Sequence, residues 1–198
     1  MGLLATSSTT FNEPYNLARQ FKALDIMSHG RAGWNAVTSS GEEVAANYGM
    51  RLPSSPARYG RAHKTVQLVH ALWVSWGLDV WGRDQATGQF AKGDQIAPIN
   101  RGGKFVASRG QLYIPPSEQG QPVIFHAGGG PNALTWLAAT PALLSVRPST
   151  IEDARAQRAA FRDATERAGR NPDEIKFIIG LRRRSRATSD RHLIGGSR

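Results

Sequence analysis

Short apolar runs in this chain alternate with longer segments in which apolar residues recur every three or four positions. Such runs, ending in small or polar residues, are typical of buried parallel strands, and the longer period is typical of helices with one buried face. The predicted strands are residues 2–9, 31–39, 122–127, 143–146 and 175–179. The predicted helices are residues 13–29, 58–76, 131–139 and 150–168. This alternation predicts an α/β fold with parallel strands joined by right-handed crossovers.

Polar residues and glycines at the ends of the predicted helices support these boundaries. Asn12 is placed to cap the first helix and Gly30 to stop it. Thr150 with Asp153 is typical of a capping box at the start of the last helix, with Asp in place of the usual Glu. The predicted inner faces are Leu17, Phe21 and Leu24 in the first helix, Val66, Val69, Trp73 and Trp76 in the second, and Ala160, Phe161, Ala164 and Ala168 in the last.

Two segments do not fit the alternation. Residues 41–56 are mostly polar or small, which predicts a long loop after the second strand. Residues 77–120 are rich in Gly, Asp, Gln and Pro and contain only small apolar patches. A segment of that length is typical of an insertion with its own hairpin, often beside a functional site.

Composition narrows the class of protein. The chain has 198 residues, 40% of them hydrophobic, which is enough for one domain with a substantial core. It has no cysteine, so disulfides and thiolate catalysis are excluded. There is no apolar run of about 18 residues, and the first eleven residues lack the basic start of a signal peptide. We therefore expect a cytoplasmic protein without membrane contact.

The formal net charge of +10 raises the question of nucleic-acid binding. Half of this charge lies in residues 182–198, which contain six arginines and one aspartate. We interpret that segment as a basic, disordered tail, because charge runs with few apolar residues are usually solvated. The sequence has no RNP motif and no zinc-ligand spacing, so nucleic acid is an unlikely partner, although a basic nucleic-acid-binding protein stays open as an alternative.

Five sequence blocks together resemble one protein family. They are residues 2–39, which include LDIMSHGRAGWNAVTS, residues 57–76 (ARYGRAHKTVQLVHALWVSW), residues 110–128, residues 150–175 and residues 176–181 (KFIIGL). In this order they resemble the bacterial luciferase-like flavin monooxygenases, in the branch that contains the nitrilotriacetate, dibenzothiophene-sulfone and long-chain alkane monooxygenases. The resemblance runs from residue 2 to about residue 181, nearly the whole chain.

The resemblance implies a (β/α)₈ TIM barrel, of which this chain contains about the third to the seventh strand. We expect a partial, truncated barrel domain over residues 1–181, with the insertion at 77–120 before the fifth barrel strand and the basic tail at 182–198. The insertion is expected to help form the substrate cavity. A partial barrel exposes strand edges, so a homo-oligomer is possible.

The same resemblance implies which residues bind FMN. Thr6 and Asn35, near the ends of the first two strands, are expected to contact the flavin ring, and Tyr59 to reach its phosphate or ribityl chain. Ser55 stands where the family usually has a histidine, so it keeps a hydrogen-bonding group but loses a titrating imidazole.

A glycine run after the third of the predicted strands is expected to hold the phosphate of FMN. Gly129 and Gly130 lie between a strand and a helix, where backbone N–H groups can approach a phosphate. The family has a serine in place of Gly130 and often a glutamine in place of His126. A backbone cradle survives these changes, but a serine contact does not.

The implied function is that of an FMNH2-dependent monooxygenase. A separate NAD(P)H:flavin reductase supplies reduced FMN, and oxygen forms a flavin hydroperoxide that oxygenates a small organic substrate. No catalytic side chain is identified, and the histidines have no metal-ligand spacing. The alternative within the same ancestry is a truncated, catalytically inactive remnant.

Overall fold

The computed structural model describes residues 1–128, 130–138, 140 and 143–180, and a parallel sheet forms its centre. The strands in this part of the chain are β1 (Leu3–Ser8), β2 (Ala32–Val37), β3 (Trp81–Asp84), β4 (Gln89–Ala91), β5 (Val123–Ala127), β6 (Leu143–Val146) and β7 (Phe177–Ile179). The helices are α1 (Pro14–Met27), α2 (Glu42–Ala46), α3 (Ser55–Trp73), α4 (Pro131–Ala138) and α5 (Ile151–Arg167). Two 3₁₀ turns, Gly93–Gln95 and Pro172–Glu174, complete them.

Five of the strands form one sheet in the order β1-β2-β5-β6-β7, and every neighbouring pair is parallel. Strand order therefore follows chain order, and a helix joins each strand to the next, as it does in consecutive units of a (β/α) barrel. The predicted α/β partial barrel is confirmed. All strands end at the same edge of the sheet, which we call the carboxyl edge.

The helices cover one face of the sheet. Trp34 on β2 is fully buried on that face, stacks on Phe21 of α1 with ring centroids 5.5 Å apart, and donates its indole N–H to the Ser7 carbonyl at 3.1 Å. Trp73 of α3 is also buried and donates to the Ala18 carbonyl at 3.0 Å. Because side chains alternate along a strand, the opposite face carries Asn35 and its neighbours. This open face includes half-exposed apolar residues such as Val123.

Several predicted helix details are wrong, for local reasons. Asn12 does not cap α1, because its amide donates to the Ser8 carbonyl at 2.9 Å and Glu13 occupies the N-cap position. Leu24 is 44% exposed, so the inner face of α1 is formed by Leu17 and Phe21. The loop predicted at 41–56 contains α2 and the start of α3, at Ser55.

The last helix is capped as predicted, but its inner face differs. The Thr150 hydroxyl accepts a hydrogen bond from the Asp153 backbone N–H at 3.0 Å. Of the four residues predicted to face inward, only Phe161 is buried, and it is accompanied by Ala154 and Thr165. In the second predicted helix, Val66, Val69 and Trp73 are buried as expected, whereas Trp76 lies beyond the end of α3 and is half-buried.

The insertion forms the expected hairpin from β3 and β4, which pair antiparallel. Its last residues are fastened to α1 by two fully buried charged side chains. The Lys22 ammonium donates to the Gly120 carbonyl, and Gln119 donates to the Asp25 carboxylate at 2.5 Å. Burial lowers the pKa of Lys22 to about 8, partly offset by the nearby Asp25 charge.

No helix in the described part of the chain is both long and apolar enough to span a bilayer. The arginine-rich segment 182–198, interpreted from sequence as a disordered tail, lies outside the described residues.

Candidate functional site

Two polar side chains meet on the open face near the carboxyl edge. Thr6 on β1 and Asn35 on β2 are register partners, and the Asn35 amide N–H donates to the Thr6 hydroxyl at 2.9 Å. The Asn35 amide oxygen is buried and has no hydrogen-bond partner. A buried acceptor without a donor is costly, so this oxygen lacks a hydrogen bond that a ligand N–H would supply.

The amino-terminal ends of α3 and α4 meet at the same edge of the sheet. The Ser55 hydroxyl, in the first turn of α3, accepts a hydrogen bond from the Asn132 side chain of α4 at 3.0 Å. Gly130 immediately precedes α4, and open space surrounds the position of a Cβ on it. Free backbone N–H groups and the helix dipole favour an anion at such an end.

Tyr59 lies one turn beyond Ser55 on the same side of α3, because residues four apart on a helix share a face. It is half-buried, and its ring makes an edge contact with the ring of His126 at 6.3 Å between centroids. The structure therefore groups Tyr59 with Ser55 and the start of α4. Gly129, predicted to be part of the same phosphate cradle, lies outside the described residues.

Neighbouring strands β2 and β5 connect the two groups of predicted residues. Asn35 is the register partner of Phe125 on β5, and Gly128 follows three residues later. At about 3.3 Å per residue, Gly128 lies about 10 Å further along the strand direction than Asn35. Gly128 and Gly130 are the described residues of the segment that we call the glycine turn. A single elongated ligand on the open face can therefore reach from Thr6 and Asn35 to the start of α4.

His126 was not predicted as a site residue, yet it lies at the base of the glycine turn. It is 2% exposed, and its Nδ1 is 2.7 Å from the Ala36 carbonyl oxygen. Its Nε2 is buried without a partner and lies 3.1 Å from where a Cβ on Gly128 would be. Burial lowers the pKa of His126, partly offset by the bond to Ala36. A histidine ending a buried strand before three glycines is the sequence signal that would have identified it.

Arg61 was also not predicted, and it joins three segments around the site. Its guanidinium donates to the carbonyls of Thr9 and Phe105, both at 3.0 Å, and to Glu13 at 3.2 Å. Thr9 follows β1, and Phe105 belongs to the insertion. Arg61 thus fixes the loop after β1 against the insertion, beside the carboxyl edge.

An aromatic pair lies on the loops at this edge. The rings of Phe11 and Tyr48 stack with centroids 4.5 Å apart and an angle of 7° between their planes. Phe11 follows β1, and Tyr48 follows α2 and is 54% exposed. This pair offers an apolar wall to a molecule entering from the carboxyl edge.

Comparisons with known proteins give one consistent set of relatives. Residues 1–192 match the family model of the luciferase-like monooxygenases. The N-acetyl-S-(2-succino)cysteine monooxygenase of Bacillus subtilis (strain 168) is 37% identical over 91% of this chain and 41% of its own length. Nitrilotriacetate monooxygenase component A of Aminobacter aminovorans is 34% identical over 91% of this chain and 40% of its own length.

Among solved structures, a riboflavin lyase with modified FMN and riboflavin superposes with a TM-score of 0.86 at 31% identity, covering 91% of this chain and 41% of that chain. Dibenzothiophene-sulfone and long-chain alkane monooxygenases are matched as well, at 36% and 28% identity. The branch expected from the sequence blocks is therefore confirmed. The chain spans about 40% of the length of the curated relatives reported above.

Proposed function

Since the chain belongs to the luciferase-like monooxygenase family, we propose that it carries the FMN site of a flavin-dependent monooxygenase. In this proposal Thr6 and Asn35 contact the flavin ring, and Ser55, Tyr59 and the glycine turn hold the phosphate. The observation that carries it is the unpartnered Asn35 amide oxygen, because a flavin ring edge offers the N–H that this oxygen lacks.

The residues at the helix ends fit the other half of the cofactor. The first turns of α3 and α4 meet beside Gly130, and no side chain fills the space around it. A phosphate there gains from both helix dipoles and from backbone N–H donors. FMN has a hydrogen-bonding ring at one end and a phosphate at the other. Thr6 and Asn35 would bind the ring, and the residues at the helix ends would bind the phosphate of the same molecule.

The chemistry proposed for the complete protein follows from the cofactor. Reduced FMN would supply the electrons that activate O2, and the protein would orient the ring and exclude water. A separate NAD(P)H:flavin reductase would supply the reduced flavin, and the name "component A" of one relative supports such a division of labour. The insertion, held over the carboxyl edge by Arg61, would contribute to the cavity for a small organic substrate.

Anaerobic titration with reduced FMN tests the proposal. We expect saturable binding by the chain, weakened about five- to thirtyfold in Asn35→Ala, because the variant loses a ring contact worth about 1–2 kcal/mol. Asn16→Ala, an exposed position on α1, is the matched control and should bind as the unsubstituted chain does. If the folded chain shows no FMN binding, the proposal is wrong and the non-catalytic remnant is the better description.

A further inference from the structure

His126 is the one ionisable side chain fully buried beneath the glycine turn within the part of the chain that the structure describes. Its protonation in the free protein follows from its contacts. A carbonyl oxygen can only accept, so Nδ1, 2.7 Å from the Ala36 oxygen, must carry the hydrogen. In the neutral ring Nε2 is then an acceptor, and it is the atom left buried without a donor.

The surroundings of His126 carry almost no charge. β2, β5, β6 and α4 contribute no ionisable side chain other than His126 itself. From α3, the Tyr59 ring contacts the imidazole, and Arg58 precedes it, with one guanidinium nitrogen bound to the Pro53 carbonyl. Trp136 of α4 packs edge-on at 4.6 Å between centroids. None of these five elements carries a carboxylate, so an anionic ligand at the turn would bring a negative charge that they lack.

Nε2 faces the turn itself. A Cβ on Gly128 would lie 3.1 Å from Nε2, and Gly128 has a φ of +156°, so a side chain here is disfavoured on both counts. The imidazole therefore contacts the backbone of the turn directly. A phosphate at this turn would meet a neutral ring that presents a lone pair, which is unfavourable, unless the ring gains a proton at Nε2.

We propose that the glycine turn binds the phosphate of FMN together with one proton, which His126 takes up at Nε2. This inference rests on the proposed FMN site. Protonation converts the unpartnered acceptor into a charged N–H donor, and the phosphate supplies both the negative charge and the oxygen acceptor that this donor needs. The Nδ1 donation to Ala36 is unchanged by the proton, so the ring keeps its orientation. His126 is thus a positioning residue for the turn whose charge is coupled to the ligand.

The coupling has a defined sign. Burial lowers the pKa of His126 in the free protein, and a dianionic phosphate raises it in the complex. Affinity for FMN is then highest below the pKa of the free protein and falls as pH rises through the pKa of the complex. Between the two values the dissociation constant increases by up to about tenfold per pH unit. The phosphate itself titrates near pH 6, so the window to measure lies above about pH 7.

Calorimetric titration with oxidised FMN at pH 7.5, in buffers of different ionisation enthalpy, measures the proton directly. We expect uptake of a substantial fraction of one proton per FMN, and no such uptake with riboflavin, which lacks the phosphate. His126→Gln should still bind FMN, since an amide can donate without titrating, but should lose both the uptake and the pH dependence.

His70→Gln is the matched control, because His70 is also mostly buried, with Nδ1 bound to Gln121 and Nε2 unpartnered, but belongs to the far part of α3. It should keep the proton uptake. His126→Asn provides a second non-titrating variant if the glutamine variant does not fold. Equal proton uptake by the folded His126 variant and the unsubstituted chain would overturn the inference while leaving the FMN site intact. No FMN binding by the unsubstituted chain would overturn both.

Discussion

The buried Lys22 shows how a single side chain can hold a long insertion in place. Its ammonium group is fully buried and reaches Ser117 and Gly120, almost 100 residues away in the chain. The interaction orders the end of the insertion but requires a charge in a poorly solvated place, which is why burial lowers the pKa of Lys22. This cost predicts a pH dependence of stability.

We expect Lys22 to make the protein more stable as pH rises from 8 to about 10. The folded form of Lys22 has a pKa of about 8 and the unfolded form about 10.5, so the unfolded state binds more protons in this range. The difference corresponds to about 3 kcal/mol across the full range. Denaturant unfolding at pH 8, 9 and 10 measures it. The slope should vanish in Lys22→Met and persist in Lys64→Met, an exposed lysine on α3.

Gly33 is required by its position between two strands. A Cβ there would lie 2.5 Å from a Leu4 methyl and 2.8 Å from the Val123 backbone oxygen. The methyl can move, but the strand backbone cannot without breaking pairing. We expect Gly33→Ala to destabilise the chain by about 2 kcal/mol or more, measured by denaturant unfolding. Gly93→Ala, which meets nothing within 4 Å, should change stability little, and an equal loss in both variants would contradict this explanation.

At the scale of elements, the N-cap residue Thr150 is expected to contribute to the stability of α5. Thr150→Ala removes the acceptor for the Asp153 N–H and should cost about 1 kcal/mol in the free energy of unfolding. Ser149→Ala, one residue earlier, makes no such bond and serves as the control. Thermal unfolding of both variants distinguishes them, and an unchanged melting temperature for Thr150→Ala would show that α5 is held by packing alone.

Because Arg61 joins the loop after β1 to the insertion, weakening its contacts should increase the mobility of both segments. Arg61→Lys keeps the charge but loses the guanidinium fork that binds Thr9 and Phe105 at once. We expect faster amide exchange at residues 9–13 and 101–108 together, by tenfold or more, with the rate in β6 unchanged. Arg19→Lys on the exposed side of α1 is the control. Faster exchange in one segment alone would contradict the joint role.

The elements also show what sequence patterns can predict. The strand at 143–146 was located to the residue, because an apolar run between two helices has one simple interpretation. Strand β7 was expected to be buried, but Ile178 and Ile179 are more than 40% exposed because β7 is an edge strand. Whether a strand is buried depends on whether another strand pairs with its outer edge, and the residues of the strand itself do not show this.

For the candidate site as well, only part of what the structure shows could be predicted from the sequence. Thr6 and Asn35 were identified through the family resemblance of the two strands that carry them, and the structure places them in hydrogen-bond contact. Pairings such as Lys22 with Gly120, or Arg61 with Phe105, are set by tertiary packing between distant segments. The position of His126 before the glycines is visible in the sequence, but that its Nε2 is buried without a partner is a tertiary property that only the structure shows.

At the scale of the whole molecule, the edge strand β1 exposes apolar side chains and an unpaired strand edge. Leu3 is 70% exposed and Leu4 is 44% exposed on β1, and its outer edge has no paired strand in the described part of the chain. Such an edge favours pairing with another chain. We expect concentration-dependent self-association in sedimentation velocity, reduced by Leu4→Lys. Val74→Lys, at an exposed apolar position after α3, should have no effect if β1 is the contact.

The two hydrogen bonds that define the ends of the site differ in the length of chain they close. Thr6 and Asn35 are 29 residues apart, whereas Ser55 and Asn132 are 77 apart. Loop-closure entropy makes the longer contact about 0.9 kcal/mol costlier to form from the unfolded chain. During folding we therefore expect Thr6 and Asn35 to come together first, within one local β-α-β unit. The helix ends that would hold the phosphate come together later, because the whole insertion lies between Ser55 and Asn132 in the chain.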